Sequence, residues 1–210
     1  MSDFYKTLKA PSEGIYKEKM SKFISFAVPV ASADEAKAVV KQYQKEYYDA
    51  RHVCWAYMIG AARTEFLSND NGEPSGTAGK PILGQINSFE LTNVVIVVVR
   101  YFGGIKLGAG GLVGAYSGAA ADGVKAGKIS KKVECALLKI TSDYPTYATV
   151  EKYLRKSGAM IDDIDYSDDV TAKIFVPIDD KNAFIQSVSE ASLGRSNIID
   201  TGIVEFKKLD

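Results

Sequence analysis

Glycine residues are concentrated in one short segment that directly follows a strongly apolar run. Five glycines lie between Gly103 and Gly111, and the apolar run before them is Val94–Val99. Glycine adopts positive φ without strain and lets the backbone approach a partner closely. At the start of a helix, successive backbone N–H groups and the helix dipole together attract an anion. The segment therefore predicts a site for a phosphate or carboxylate group. Tight packing of a helix on a sheet is the alternative role for the same glycines.

Two basic residues accompany this segment. Arg100 precedes the glycines, and Lys106 lies among them. An arginine makes planar, bidentate contacts with a phosphate or carboxylate, whereas a lysine contributes a compact point charge. Both residues favour the same kind of ligand as the backbone amides do.

A second polar loop, Asp70–Gly79, leads into another predicted helix. The carboxylates of Asp70 and Glu73 would hold a hard cation or accept hydrogen bonds from the neighbouring glycine-rich loop. Thr77 would cap the helix, so a purely structural turn is the alternative interpretation.

The single histidine of the chain, His52, lies on a predicted strand two residues before Cys54. Side chains at these positions share a face but run roughly parallel, which is poor geometry for a nucleophilic Cys–His pair. We expect His52 either at the edge of the glycine-rich site or buried with its ring nitrogens satisfied. Glu73 or His52 would supply the acid or base if the protein is an enzyme.

Common cofactor and catalytic motifs are absent from the sequence. One histidine excludes HExxH zinc binding and two-histidine metal sites. There is no GxSxG nucleophile elbow, and no Gly-Lys-Ser/Thr completes a phosphate-binding P-loop. A GxGxxG fingerprint begins at Gly108, but Val113 stands where its third glycine would be. We therefore predict neither a metal nor a cofactor, and no complete catalytic constellation is present.

The elements that would position these residues alternate between strands and helices. A capping box formed by Ser32 and Glu35 marks the start of an amphipathic helix. The apolar run is predicted as a central strand covered on both faces. The residues up to Ile15 are polar and mixed, and they predict a loosely held lead-in. The predicted strands are Lys22–Pro29, His52–Gly60, Thr64–Leu67 and Val94–Val99, and the predicted helices cover 32–47, 76–90 and about 112–125.

The sequence changes in character from Glu134 onward. Its predicted elements follow the order β-α-β-β-α-β, which is typical of a ferredoxin-like domain. Gly127–Glu134 is predicted as an exposed linker between domains at residues 1–130 and 134–210. The chain is therefore predicted to be an α+β protein of two domains. The predicted strands are Ala136–Ser142, Ala159–Tyr166, Val170–Val176 and Ile198–Phe206, and the predicted helices are Pro145–Ser157 and Asp180–Ala191.

Charge and composition restrict the function further. The 210 residues carry no net charge, yet residues 1–133 contain 17 Lys+Arg against 12 Asp+Glu, and residues 134–210 contain 9 against 14. A basic N-terminal half would attract polyanions. The alternative, to which we give equal weight, is that the charges are unevenly distributed by chance. The longest apolar run is too short to span a membrane, no secretory signal is evident, and two cysteines form no disulfide framework. We expect a cytoplasmic protein with no membrane partner.

Three ordered motifs resemble those of the YigZ/IMPACT family. They are Arg51–Tyr57 (RHVCWAY), Asp70–Pro81 (DNGEPSGTAGKP) and Arg100–Leu112 (RYFGGIKLGAGGL), and the likeness covers about residues 15–125. The C-terminal part is similar in element order to the second domain of bacterial members, so the bacterial branch is the closer likeness. The resemblance implies an N-terminal domain like domain IV of elongation factor G, a ribosomal-protein-like sandwich of sheet and helices, and a ferredoxin-like C-terminal domain.

The resemblance also implies a function. Eukaryotic members are associated with control of translation, so we expect a regulator that binds RNA, the ribosome or a translation factor through the glycine-rich N-terminal surface. An enzyme acting on a small phosphorylated or carboxylated ligand at the same loop is the alternative. A module that binds protein partners through the acidic C-terminal domain is a third hypothesis. The residues predicted to bind RNA or an anionic ligand are Arg51, His52, Asp70, Gly72, Glu73, Gly76, Thr77, Gly79, Arg100, Tyr101, Gly103, Gly104, Lys106, Gly108, Gly110 and Gly111.

Overall fold

The structure, a computed structural model that describes residues 4–208, divides into two units between Lys131 and Lys132. The elements of the first unit are β1 (Phe4–Leu8), β2 (Ser12–Glu18), β3 (Ser21–Pro29), α1 (Ala33–Glu46), β4 (His52–Ile59), β5 (Glu65–Asn69), α2 (Gly79–Ser88), β6 (Val94–Tyr101) and α3 (Gly108–Ala126). The elements that follow are β7 (Ile129–Ser142), α4 (Tyr144–Ser157), β8 (Met160–Tyr166), β9 (Val170–Pro177), a 3₁₀ turn (Ile178–Asp180), α5 (Lys181–Ala191) and β10 (Asn197–Lys208).

A five-stranded antiparallel sheet in the order β2-β3-β6-β4-β5 forms the centre of the first unit. Its middle strand, β6, contains the apolar run. Every second residue from Val94 belongs to the core shared with α2 and α3, and every second residue from Val95 belongs to the core shared with α1. Side chains alternate along a strand, so a strand with helices over both faces needs apolar residues at every position. The predicted burial on both faces is found.

Helix α1 begins where the capping pattern predicts. Ser32 Oγ accepts the N–H of Glu35 at 3.2 Å, and Glu35 Oε2 accepts the N–H of Ala31 at 2.6 Å. Ala36 and Val40 are its buried residues, and they pack against the sheet. The cap and the apolar stripe therefore fix both the start of the helix and the face it buries.

Two predictions about chain segments are wrong. The described part of the lead-in, from Phe4 to Ile15, forms β1 and the first half of β2, with Ile15 paired to Ile24 of β3. Because β2 is an edge strand, its polar positions hide the strand pattern in the sequence. Gly127–Glu134, predicted as an exposed linker, contains the start of β7 at Ile129.

The second unit has the predicted β-α-β-β-α-β order. Its strands lie side by side as β10-β7-β9-β8, and every pair is antiparallel. Leu138 and Ile174 of this sheet share a core with Val150 of α4 and Val188 of α5, so both helices cover the same face. Across residues 4–208, no helix combines the length and the apolar composition that crossing a bilayer requires.

Candidate functional site

A cavity of about 380 Å³ opens at one end of the sheet of the first unit. His52, at the start of β4, and Arg100, near the end of β6, line it and are register partners across the two strands. The volume falls within the range of small-molecule sites, about 300–1,000 Å³. The lining residues are Arg51, His52, Gly72, Glu73, Pro74, Arg100, Phe102, Lys106, Leu107, Gly108, Ala109 and Leu112.

A buried ion pair forms part of the cavity wall. Arg100 Nη1 donates to Glu73 Oε1 at 2.6 Å, and the Tyr116 hydroxyl donates to the same oxygen at 2.8 Å. Arg100 is 6% exposed and Glu73 is 9% exposed. Either charge would be costly to bury alone, so each partner makes the burial of the other tolerable.

The guanidinium of Arg100 also lies against two aromatic rings. Its Cζ is 5.5 Å from the ring centroid of Phe23 and 5.5 Å from that of Phe102, which is within cation–π range. Phe23 is fully buried, whereas Phe102 is about half exposed. Within the described residues, Arg100 Nε has no hydrogen-bond partner. Arg100 is therefore held in place while one of its N–H donors remains unused.

The ring of His52 is oriented by the second polar loop. Its Nδ1 lies 2.9 Å from the carbonyl oxygen of Asn71. A carbonyl oxygen only accepts, so Nδ1 carries the proton in the neutral ring and Nε2 presents a lone pair. Nε2 is 4.0 Å from Glu73 Oε1, which is too long for a hydrogen bond. The loop thus leaves the second nitrogen of His52 available beside the buried carboxylate.

The Asp70 carboxylate is used within its own loop. Its Oδ1 accepts the N–H groups of Ala78 at 3.0 Å and Gly79 at 2.8 Å, and its Oδ2 accepts the N–H of Gly76 at 2.8 Å. Burial alone would raise the pKa of the Asp70 carboxyl, but these three hydrogen bonds outweigh it and hold the pKa below its usual value. Asp70 therefore fixes the entry into α2.

We expect Asp70→Asn to lower the free energy of unfolding of the first unit by about 1–2 kcal/mol at neutral pH, because the amide NH₂ cannot accept the N–H that Oδ2 accepts. The pKa of Asp70 is lower in the folded than in the unfolded chain. Its stabilisation is therefore complete above the unfolded value of about 3.9 and is lost as the pH falls through the folded pKa. Urea unfolding, followed through the fluorescence of the single tryptophan Trp55, should show a difference from the wild type that shrinks on acidification. A difference that is constant with pH would contradict this role.

Cys54 lies in the core beside Tyr116, the residue that donates a hydrogen bond to the buried ion pair. Its Sγ lies 2.9 Å from the carbonyl oxygen of Asp70 and 3.3 Å from the hydroxyl oxygen of Tyr116. Burial raises the pKa of the Cys54 thiol to about 12, although the hydrogen bond with Tyr116 acts in the opposite direction. The thiol is therefore protonated at neutral pH, and Cys54 is not a thiolate nucleophile.

Helix α3 begins at the cavity without a side-chain cap. Leu107 occupies its N-cap position, and Gly108 enters the helix with a φ of +73°. Gly108 and Ala109 are exposed and line the cavity. The first N–H groups of a helix have no partner inside the helix, and together with its dipole they attract an anion. Lys106, also in the lining, adds a full positive charge beside them.

The cavity brings together part of the predicted site. Among the described residues, no group of three or more His, Cys, Asp and Glu side chains lies close enough to hold a metal ion. The predicted residues that line the cavity are Arg51, His52, Gly72, Glu73, Arg100, Lys106 and Gly108. Those outside the lining are Asp70, Gly76, Thr77, Gly79, Tyr101, Gly103, Gly104, Gly110 and Gly111.

Three of the residues outside the lining have other contacts. The Tyr101 hydroxyl donates to Asp49 at 2.8 Å, and its ring packs in the core shared with α1, because it lies one residue out of phase with Arg100. Thr77 does not form the predicted helix cap, since its hydroxyl donates to a carbonyl oxygen of its own loop at 2.6 Å. Gly103 packs against the backbone of Met20 so closely that a Cβ would lie 2.1 Å from it.

Sequence reasoning missed the aromatic and apolar part of the cavity. Phe102 and Leu112 line it, and Tyr116 holds the buried carboxylate. Tyr116 lies four residues after Leu112, on the same face of helix α3. It could have been predicted as part of the site, because it is an isolated aromatic residue in a helix made mostly of glycine and alanine. Phe102 lies two residues after Arg100, directly beyond the end of β6, and its ring centroid is 5.5 Å from the guanidinium carbon.

Two family models match the chain. The model of the Impact N-terminal domain matches residues 19–124, and that of a domain of unknown function, DUF1949, matches residues 140–195. Every residue that lines the cavity falls within the first match. The cavity is therefore a feature of the part of the chain that resembles the Impact N-terminal domain.

Similar proteins occur in bacteria and eukaryotes. The chain is 33% identical to the IMPACT family member YvyE of Bacillus subtilis, over 97% of this chain and 94% of that protein. It is 31% identical to the IMPACT family member YigZ of Escherichia coli, over 90% and 94%. Identity to Protein IMPACT of Rattus norvegicus is 32% but covers 43% of this chain and 30% of that protein. A crystal structure described as that of a hypothetical protein aligns with 95% of this chain and 98% of its own, with a TM-score of 0.64 and 30% identity.

Proposed function

The chain belongs to the IMPACT family, and we propose that it regulates translation in the cytoplasm by binding RNA, free or within the ribosome, through the cavity of its first unit. A phosphate of the RNA backbone would occupy the cavity. The role in translation and the likeness to domain IV of elongation factor G are what the family resemblance implies. The chemistry of the cavity supplies the physical reason to place RNA there.

The charge of the cavity lining is the observation that supports this proposal. Of the described residues that line it, Arg51, Arg100 and Lys106 are cationic and Glu73 is the one carboxylate. Arg100 neutralises Glu73 through their direct ion pair. Arg51 and Lys106 are both exposed and remain to attract an anion, next to the first N–H groups of α3. The lining therefore carries an excess of positive charge that suits a phosphate.

We expect the protein to bind single-stranded RNA with an affinity that falls steeply with salt, because phosphate contacts release counterions. Fluorescence anisotropy with a labelled RNA at several KCl concentrations would measure this. Lys106→Glu should weaken binding at least about tenfold and reduce the salt slope by about one. Lys41→Glu makes the same change of charge on the exposed surface of α1, and it should leave the affinity within about twofold. Equal weakening by both variants, or affinity that does not respond to salt, would contradict the proposal.

An enzyme acting on a small phosphorylated or carboxylated ligand is a second candidate. The volume of the cavity and the available Nε2 of His52, 4.0 Å from Glu73 Oε1, favour it, because such a nitrogen can accept a proton from a bound ligand. A ligand present at 100 times its dissociation constant adds about 2.7 kcal/mol of apparent stability. Thermal stabilisation by small anionic compounds, with none by RNA, would favour the enzyme over the RNA-binding protein.

A further inference from the structure

We propose that the cavity recognises one nucleotide unit, with its phosphate at the start of α3 and its base stacked on the exposed ring of Phe102. This inference rests on the proposed function and deepens it, because it names the chemical unit that the cavity takes. A free mononucleotide offers the same unit as a nucleotide within an RNA strand. The test must therefore separate these two sources.

Phe102 presents an aromatic ring at the edge of a cationic cavity. Its side chain is 49% exposed, although it directly follows the buried strand β6. The guanidinium of Arg100, itself fixed by Glu73, lies 5.5 Å from the ring centroid. The ring is therefore held in place on one side and keeps exposed area on which a base can stack. Stacking on an aromatic side chain contributes to the binding of any base, because every base has a π face.

The start of α3 is not the single feature of the cavity that favours a phosphate there. Arg100 lines the cavity and is 6% exposed, and its Nε has no partner in the part of the chain that the structure describes. A buried N–H group without an acceptor is unfavourable, but this nitrogen is itself shielded from solvent, so an anion in the cavity meets the guanidinium charge rather than this N–H. Lys106 and the exposed residues Gly108 and Ala109 line the same cavity. Phosphate oxygens accept hydrogen bonds both from a lysine ammonium such as that of Lys106 and from the first N–H groups of a helix.

The position of Phe102 favours a base over an apolar segment of a protein. Ile105 is 50% exposed and Met20 is 79% exposed, yet neither lines the cavity. Of these three exposed apolar residues, Phe102 is the one that lines the cavity with Arg51, Arg100 and Lys106. It is also the aromatic one, as stacking requires. Ile105, three residues further along, provides the matched control position.

Isothermal titration calorimetry with four probes tests the inference. The probes are AMP, ribose 5-phosphate, inorganic phosphate and a ten-nucleotide single-stranded RNA. We expect the wild type to bind AMP about tenfold more tightly than ribose 5-phosphate, which lacks the base. Phe102→Leu should abolish this preference and leave the affinity for ribose 5-phosphate unchanged. Phe102→Tyr and Ile105→Ala should both keep the preference.

The outcomes distinguish the two sources and the two proposals. If AMP does not bind measurably but the RNA binds and Phe102→Leu weakens it about tenfold, the nucleotide belongs to a strand. If AMP binds through its base and the RNA does not bind, the nucleotide is free and the RNA-binding function is wrong. Binding of RNA that Phe102→Leu leaves unchanged overturns the base site alone. Failure of every probe to bind the wild type overturns both proposals.

Discussion

Glu73→Ala is expected to lower the free energy of unfolding of the first unit by about 3–5 kcal/mol. The substitution leaves the guanidinium of Arg100 buried without its carboxylate, and it removes the acceptor of the Tyr116 hydroxyl. An uncompensated buried charge costs more than the hydrogen bond that is lost, because the group must be desolvated with nothing in return. Urea unfolding measures the loss through Trp55, which lies in the core of the same unit.

Two controls separate the loss of the ion pair from the loss of packing. Arg100→Met in the background of Glu73→Leu replaces both charges by apolar side chains and should recover most of the stability. Lys6→Gln breaks an exposed ion pair with Glu90, in which the charged atoms are 2.6 Å apart, and should cost far less stability than Glu73→Ala. Similar losses for Glu73→Ala and Lys6→Gln would mean that the buried pair does not stabilise the fold.

How much of the fold could be predicted depended on whether a local pattern had one physical cause. Val94–Val99 could be assigned because a run of six apolar residues that is too short for a helix and made of β-branched side chains is typical of a strand covered on both faces. Strand β2 could not, because the reason for its sequence lies far away in the chain. A Cβ at Gly14 would lie 2.5 Å from the backbone nitrogen of Gly123, so this glycine is required by the close approach of α3. That approach leaves no local signal in residues 12–18.

The same distinction, between features with a local cause and features with a distant one, applies to the candidate site. The sequence indicated the types of residue, but it did not indicate how they pair. Asp70 and Glu73 look equivalent in one loop, yet Asp70 accepts three N–H groups of that loop whereas Glu73 pairs with Arg100 from another strand. Short-range turn geometry decides the first set of contacts, whereas the second depends on a strand residue that lies 27 positions further along the chain. Phe102 was missed because its significance depends on the position of the Arg100 side chain.

Gly103→Ala is expected to destabilise the first unit by about 3 kcal/mol, the upper end of the usual cost of overpacking. A Cβ at this position would lie 2.1 Å from the carbonyl carbon and oxygen of Met20, in the turn between β2 and β3. The contact is with backbone, so no side-chain rotation can relieve it. Met20 already has a φ of +67°, which leaves the turn little freedom to move. If the loop yields instead, Lys106 shifts with it, and the affinity for an anion should fall together with the stability measured through Trp55.

Gly110→Ala is the matched control within the same glycine-rich segment. A Cβ at Gly110 would meet nothing within 4 Å, and alanine is favoured over glycine inside a helix by up to about 1 kcal/mol. We therefore expect this variant to be as stable as the wild type or slightly more stable. Equal losses at Gly103 and Gly110 would mean that the segment needs conformational freedom throughout. A loss at Gly103 alone would assign that glycine to close packing against Met20. The recognition of an anion would then rest on the residues that line the cavity, Lys106 and Gly108 among them.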